Sequence, residues 1–236
     1  MKFKGTEIYY SYKKGKKTPV VLLHGWGCDS TLYKGILKDF ESVLVLDFPP
    51  FGKSDKLKMA WTIYDYKDLV LEILKLEGIK KAKFLCHSFG ARVAMLLASQ
   101  TDVVESMVII GGAGLKNKSI KVKFKIAKYK LAKKLNLTRK NAGSLDYQNL
   151  DDIMKATFKN IVNTDLKFCL KNIDAKTLLI YGQNDKETPV KYGKIFNKGI
   201  KNSSLCVVDG AGHFCFLEKP LKVRKLIKDF YSGENL

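Results

Sequence analysis

Ser88, Asp185 and His213 are the residues whose types and spacing point most directly to chemistry. Ser88 lies in Cys86-His87-Ser88-Phe89-Gly90, between the apolar run Lys83-Phe-Leu-Cys86 and a stretch, Ala91–Ser99, with apolar residues at helical spacing. A serine in such a strand-to-helix turn needs small residues two positions before and after it, because the turn is tight and strained. Cys86 stands where the usual pattern has glycine, and cysteine is still small. The turn lifts the hydroxyl clear of the sheet. It also leaves the Phe89 N–H at a helix N-terminus, where it can meet a developing oxyanion. A serine hydroxyl is a poor nucleophile until a base takes its proton and a third group orients that base. The chain has only three histidines, His24, His87 and His213. His213 sits in the glycine-rich Gly210-Ala-Gly-His213-Phe214 after the apolar run Leu205–Val208, and Asp185 follows the run Thr177–Tyr181. Each of the three therefore follows its own strand-like run, in the order Ser, Asp, His. A serine, a base and an orienting carboxylate are a set that can attack a carbonyl.

The other candidates read as scaffold. His24, in His24-Gly25-Trp26-Gly27, suits a structural hydrogen-bonder, and His87 suits a wall of the turn beside Ser88. Asp209 lies only four residues before His213 and reads as a turn residue, which leaves Asp185 as the acid. Gly52-Lys53-Ser54 has the ending of a phosphate loop, but the glycine required five positions before Gly52 is Asp47. A nucleotide site is not expected. The histidines fall in separate motifs and the cysteines Cys28, Cys86, Cys169, Cys206 and Cys215 lack paired spacing, so neither a metal site nor a cofactor is expected.

The elements that must carry these residues alternate between short apolar runs and longer amphipathic stretches, the pattern of an α/β protein with a mostly parallel central sheet flanked by helices. Strands are predicted at Glu7–Tyr12, Pro19–Leu23, Val43–Leu46, Lys83–Cys86, Met107–Ile110, Thr177–Tyr181 and Leu205–Val208. Thr62 and Asp65 have the form of a capping box opening a helix that Gly78 stops, and a last helix is predicted over Pro220–Tyr231. The strand rhythm disappears over residues 113–172, which divides the chain into a core of 1–112 and 173–236 with a helical insertion. Within the insertion, Lys116 to Lys140 carries 11 basic residues and no acidic one. Ile120, Phe124, Ala127, Leu131 and Leu135 recur there at helical spacing, predicting a basic amphipathic helix.

A chain of 236 residues that is 46% hydrophobic and 28% charged is neither disordered nor fibrous, and suits one well-buried core. Its net charge of +20 would suggest nucleic acid or another polyanion, but arginine occurs only at Arg92, Arg139 and Arg224. Lysine lacks the rigid fork with which guanidinium groups grip phosphate, so the excess reads as a solubilising surface and no nucleic-acid partner is expected. The five unpaired-looking cysteines suit a reducing cytoplasm, no signal segment is visible, and no apolar run approaches the length of a membrane span.

Taken together, the early His-Gly-Trp-Gly turn, Asp47–Ser54, the serine turn, the acid turn and the histidine turn resemble the α/β-hydrolase fold family over nearly the whole chain. The resemblance implies Ser88 as nucleophile, His213 as general base and acid, and Asp185 as its orienting carboxylate. It also implies oxyanion donors at the Trp26 and Phe89 N–H groups, and a cap formed by the insertion. Trp26, Phe89 and Phe214 are expected to line the substrate pocket. The expected activity is hydrolysis of a carboxylic ester or thioester through an acyl-enzyme on Ser88. An anionic small molecule, or one carried by an acidic protein, is a substrate that the basic insertion would favour. The alternatives are a carbon–carbon bond hydrolase of the ring-cleavage type with the same triad, and a ligand-sensing protein with little turnover.

Overall fold

The computed structural model describes residues 1–116 and 150–233. Beyond Lys116, the basic helix predicted to reach Lys140 lies outside the described residues. Lys2–Phe3 (β1) and Thr6–Glu7 (β2) form a small antiparallel hairpin. The main sheet is built from Tyr10–Lys13 (β3), Val20–Leu23 (β4), Val43–Leu46 (β5), Ala82–His87 (β6), Val104–Ile110 (β7), Lys176–Gly182 (β8) and Ser203–Val208 (β9). Their order is β3-β5-β4-β6-β7-β8-β9. Only the β3–β5 pairing is antiparallel. The single early strand expected over Glu7–Tyr12 is a correction. The Tyr9 N–H donates to Ser54 Oγ at 2.9 Å, and the Glu7 and Tyr9 carbonyls accept from Asp55 and Asp47 N–H groups. Those bonds tie the backbone to a neighbouring loop, so Thr6–Glu7 and Tyr10–Lys13 enter two different sheets.

Successive side chains on a strand point to opposite faces, and a parallel sheet covered on both sides must be apolar on both. Val21, Leu23, Phe84, Cys86, Met107, Ile109 and Tyr181 share one buried cluster with helices Ile63–Leu76 (α2) and Phe89–Gln100 (α3). Val20, Leu22, Leu85, Val108, Ile110 and Ile180 join the other, with Lys34–Leu37 (α1) and the C-terminal helix. The capping box of α2 is present: the Thr62 N–H donates to Asp65 Oδ2 at 2.6 Å. Helix α3 is buried on every side and apolar there except for Arg92; residues Phe89 to Ala98 are all buried.

Part of the insertion packs directly on this core. Asp151 caps helix Asp152–Asn163 (α4) by accepting from the Met154 N–H at 2.8 Å. The buried Arg92 of α3 donates to the Ile161 and Thr164 carbonyls at the other end of α4, at 3.1 and 2.9 Å. A cation there satisfies carbonyls that the helix itself leaves unpaired. Burial lowers the guanidinium pKa to about 10. After α4, a 3-10 turn at Lys167–Asn172 buries Cys169 and Leu170 in the same cluster as α3. Helices Val190–Gly199 (α5), Cys215–Glu218 (α6) and Pro220–Ser232 (α7) complete the described chain. Because β4 to β9 run parallel, the segments following β4, β6, β7, β8 and β9 gather at one edge of the sheet. The candidate site forms there.

Candidate active site

Ser88 joins β6 to α3 with φ +47° and ψ −105°, a conformation that side-chain-bearing residues seldom adopt. Its N–H donates to the Ile110 carbonyl at 3.0 Å, and its own carbonyl accepts from Ala91 and Ala113 N–H groups. The end of β7, the segment after it and the first turn of α3 therefore hold the turn. Helix α3 crosses β4 so closely that a Cβ on Gly90 would sit 2.0 Å from the Leu23 carbonyl oxygen. Glycine is required at that position. Cys86, by contrast, is a fully buried core residue whose thiol pKa is raised by burial.

Asp185 and His213 meet after β8 and β9. His213 Nδ1 donates to Asp185 Oδ2 at 2.7 Å, and the Asp185 side chain is fully buried. Asp185 Oδ1 accepts the backbone N–H groups of Glu187 and Thr188 at 2.9 and 2.8 Å. The Thr188 hydroxyl lies 2.8 Å from the Gly111 carbonyl and 2.8 Å from Oδ2, either of which accepts its proton. Burial alone would raise the Asp185 pKa. The hydrogen bonds from His213 and Thr188 outweigh it and hold the carboxyl below its ordinary value, so it is ionised. Asp209 is placed as expected of a turn residue: it is exposed and lies 3.9 Å from Lys222.

Ser88 and His213 line one cavity of about 250 Å³ together with Trp26, Phe158, Leu150, Phe214 and Glu187. Phe89 requires a correction. Its ring does not line this cavity but is buried at 5.0–5.5 Å from the rings of Trp26, Phe48 and Tyr66, because the first turn of α3 faces the core. His24 is fully engaged, donating from Nδ1 to the Gly25 carbonyl at 2.8 Å and accepting the Phe48 N–H on Nε2 at 2.7 Å. Burial lowers its pKa. Among the described residues no group of three or more His, Cys, Asp or Glu is disposed to hold a metal ion, and no helix is long and apolar enough to cross a membrane.

The α/β hydrolase fold model matches residues 18–124, and the model for the BAAT / acyl-CoA thioester hydrolase C terminal matches residues 72–221. The solved α/β hydrolase enzyme MGS-M2, from a Medee basin deep-sea metagenome library, superposes with a TM-score of 0.79 at 19% identity, covering 99% of this chain and 97% of its own. The chain belongs to the α/β-hydrolase fold family. This hydrolase is 24% identical to the uncharacterized hydrolase YugF of Bacillus subtilis, over 96% of this chain and 94% of that one. It is 26% identical to 2-hydroxy-6-oxononadienedioate/2-hydroxy-6-oxononatrienedioate hydrolase 2 of Pseudomonas putida, over 94% and 90% of the two chains.

Two polar residues of the hydrolase site escaped the sequence reading, as did Leu150 and Phe158 of the cavity wall. Thr188 is one, and the signal for it was the Asp-x-x-Thr spacing, in which an aspartate side chain accepts the N–H groups that follow it. Glu187 is the other. Its carboxylate Oε2 lies 3.4 Å from His213 Nε2, and its side chain is 67% exposed. The imidazole thus stands between a buried carboxylate on Nδ1 and an exposed one near Nε2. Nothing in the sequence distinguishes Glu187 from other surface acids.

If Asp185 orients the base, Asp185→Asn should lower kcat by about 10³- to 10⁴-fold, whereas the solvated Asp209→Asn should stay within about twofold of wild type. Steady-state kinetics on the two variants in parallel decide this, and the reverse order would assign the acid to Asp209.

Proposed function

We propose that this hydrolase cleaves a carbon–carbon bond beside a ketone in an acidic substrate of the ring-cleavage type. Ser88 is the nucleophile, His213 the base and acid, and Asp185 the orienting carboxylate. The observation that carries the reading is the buried 2.7 Å hydrogen bond between Asp185 and His213, the latter lining the same cavity as Ser88. The Pseudomonas putida relative, named for hydrolysis of a 2-hydroxy-6-oxo diacid, supports the substrate class.

The chemistry follows from these groups and water. His213 takes the Ser88 proton on Nε2 as Oγ bonds to the ketone carbon, while Asp185 stabilises the imidazolium from Nδ1. The ketone oxygen becomes an oxyanion, for which the Trp26 and Phe89 N–H groups are the donors. Neither donates to another described residue, and such a donor is typically worth about 3 kcal/mol of barrier. When the carbonyl reforms, the carbon–carbon bond breaks. Its electron pair passes into the substrate's adjacent conjugated carbonyl, and His213 returns the proton to the leaving carbon. Water, deprotonated by His213, then releases the acyl group from Ser88 as a carboxylic acid. Trp26, Phe158, Leu150 and Phe214 give the cavity apolar walls for the carbon chain.

Hydrolysis of an ester or thioester is the second reading, favoured by the match to the acyl-CoA thioester hydrolase model over residues 72–221. Its first step is the same and its leaving group is an alkoxide or thiolate. A single panel separates the readings: a 2-hydroxy-6-oxo dienoate, p-nitrophenyl esters and acyl thioesters, each assayed on wild type and Ser88→Ala. The keto acid should show a kcat/KM at least about tenfold above the others, and Ser88→Ala should lose about 10⁴-fold or more on it. Higher values for esters or thioesters would select the second reading, and unchanged turnover in Ser88→Ala would remove both.

Glu187 adds a charge test. It is the one carboxylate among the described residues that line the cavity, and it faces solvent. Water screens it, so its repulsion of an anionic substrate is worth at most about 1 kcal/mol. Glu187→Gln should therefore raise kcat/KM for the diacid about threefold and leave a neutral ester within about 1.5-fold. An equal response of both substrates would show that Glu187 does not discriminate by charge.

A further inference from the structure

His87 is a buried titratable group beside the nucleophile that the reaction above does not use. We propose that it is a positioning residue: a neutral bridge, anchored by Tyr33, that fixes the turn bearing Trp26 against the loop bearing His213. The inference rests on the reading of Ser88 and His213 as nucleophile and base.

The bridge is a directed chain of hydrogen bonds. The Gly25 N–H donates to the Tyr33 hydroxyl oxygen at 3.2 Å. That hydroxyl has one proton, and His87 Nδ1 lies 2.8 Å away. If Nδ1 accepts it, the imidazole proton sits on Nε2, which lies 3.2 Å from the His213 carbonyl and donates to it. Each partner's role fixes the next, so a single neutral tautomer satisfies the whole chain. Burial, aided by the neighbouring His213, pushes the His87 pKa down to about 3, which keeps the ring neutral at working pH. The charged and titratable groups around it are His213, Asp185, His24 and Tyr33, with Cys28 beside Tyr33.

Packing gives the bridge its stiffness. A Cβ on Gly25 would stand 2.7 Å from His87 Nδ1, so the turn rests directly on the ring and only glycine fits. Phe216 stacks on Tyr33 at 4.9 Å and 17°, and meets the edge of His87 at 5.1 Å. The His87 and His213 rings are 4.8 Å apart. An edge of His87 reaches the cavity wall, but both ring nitrogens are engaged, which leaves none to exchange a proton with substrate. The consequence is geometric. The peptide that presents the Trp26 N–H and the backbone that carries the base are set at one spacing from the residue next to Ser88, and misplacements near 1 Å in such constellations cost about 100-fold.

Tyr33→Phe keeps the ring and its stack on Phe216 but removes the hydroxyl. It should lower kcat about 10- to 100-fold with KM within about threefold. His87→Gln, whose amide N–H can reach the His213 carbonyl, should retain at least about fivefold more kcat than His87→Leu when thermal melts of the two agree within a few degrees. Nitrogen-15 NMR of histidine-labelled wild type reads the bridge without reference to activity, and should show His87 neutral with its proton on Nε2 from pH 5 to 8. A Tyr33→Phe kcat within twofold of wild type, equal kcat for the two His87 variants, or a His87 that titrates above pH 5 would each overturn the bridge. Wild-type turnover in Ser88→Ala would instead overturn the catalytic reading, with the NMR result still judging the bridge.

Discussion

The backbone of Ser88 is the constraint on which the rest of the site depends. A non-glycine residue at φ +47° costs about 1–3 kcal/mol, and it persists only where the surroundings over-determine it. Here they do. The Ser88 N–H is held by the end of β7, its carbonyl accepts two N–H groups, and α3 is drawn onto β4 through Gly90. A flatter turn would move α3 away from the sheet and break those bonds together. The same parallel sheet that supplies the restraint also delivers Asp185 and His213 to the same edge. Fold stability and site geometry are therefore one problem in this molecule.

Electrostatics divides the two carboxylates around His213 into different roles. Asp185 is fully buried and its four acceptor contacts come from fixed backbone and side-chain groups, so its charge is strong and permanently oriented. Glu187 is two-thirds exposed, and water weakens its field before it reaches Nε2. Burial acts in the opposite sense on His87, which it keeps neutral and confined to hydrogen bonding. One small volume thus holds a charged acceptor, the imidazole proposed as the base and a second, uncharged imidazole, distinguished by solvent access and partners rather than by residue type.

Much of this was legible in the sequence. The parallel strands, the α2 capping box and the placement of Ser88, Asp185 and His213 after three strands all follow from local pattern, because periodicity and turn chemistry act over a few residues. The division of the first strand did not follow, since it depends on Tyr9 reaching Ser54 across 45 positions. Nor did the inward turn of the Phe89 ring, which is set by Phe48 and Tyr66. Tyr33 and His87 are 54 positions apart, and Thr188 is 77 from Gly111. No spacing rule links such pairs. They exist only once the sheet has brought its strand ends together.

The α/β-hydrolase fold hosts many reactions, so the chemistry here must be argued from Ser88, His213 and Asp185 themselves. Their activation of one hydroxyl is the central claim, and it can be measured without knowing the substrate. Peptide mapping by mass spectrometry after brief exposure to a fluorophosphonate locates any activated serine. The account predicts one phosphonyl adduct on Ser88, formed much more slowly when His213 is replaced by alanine. An unmodified Ser88, or labelling that proceeds equally well without His213, would contradict it.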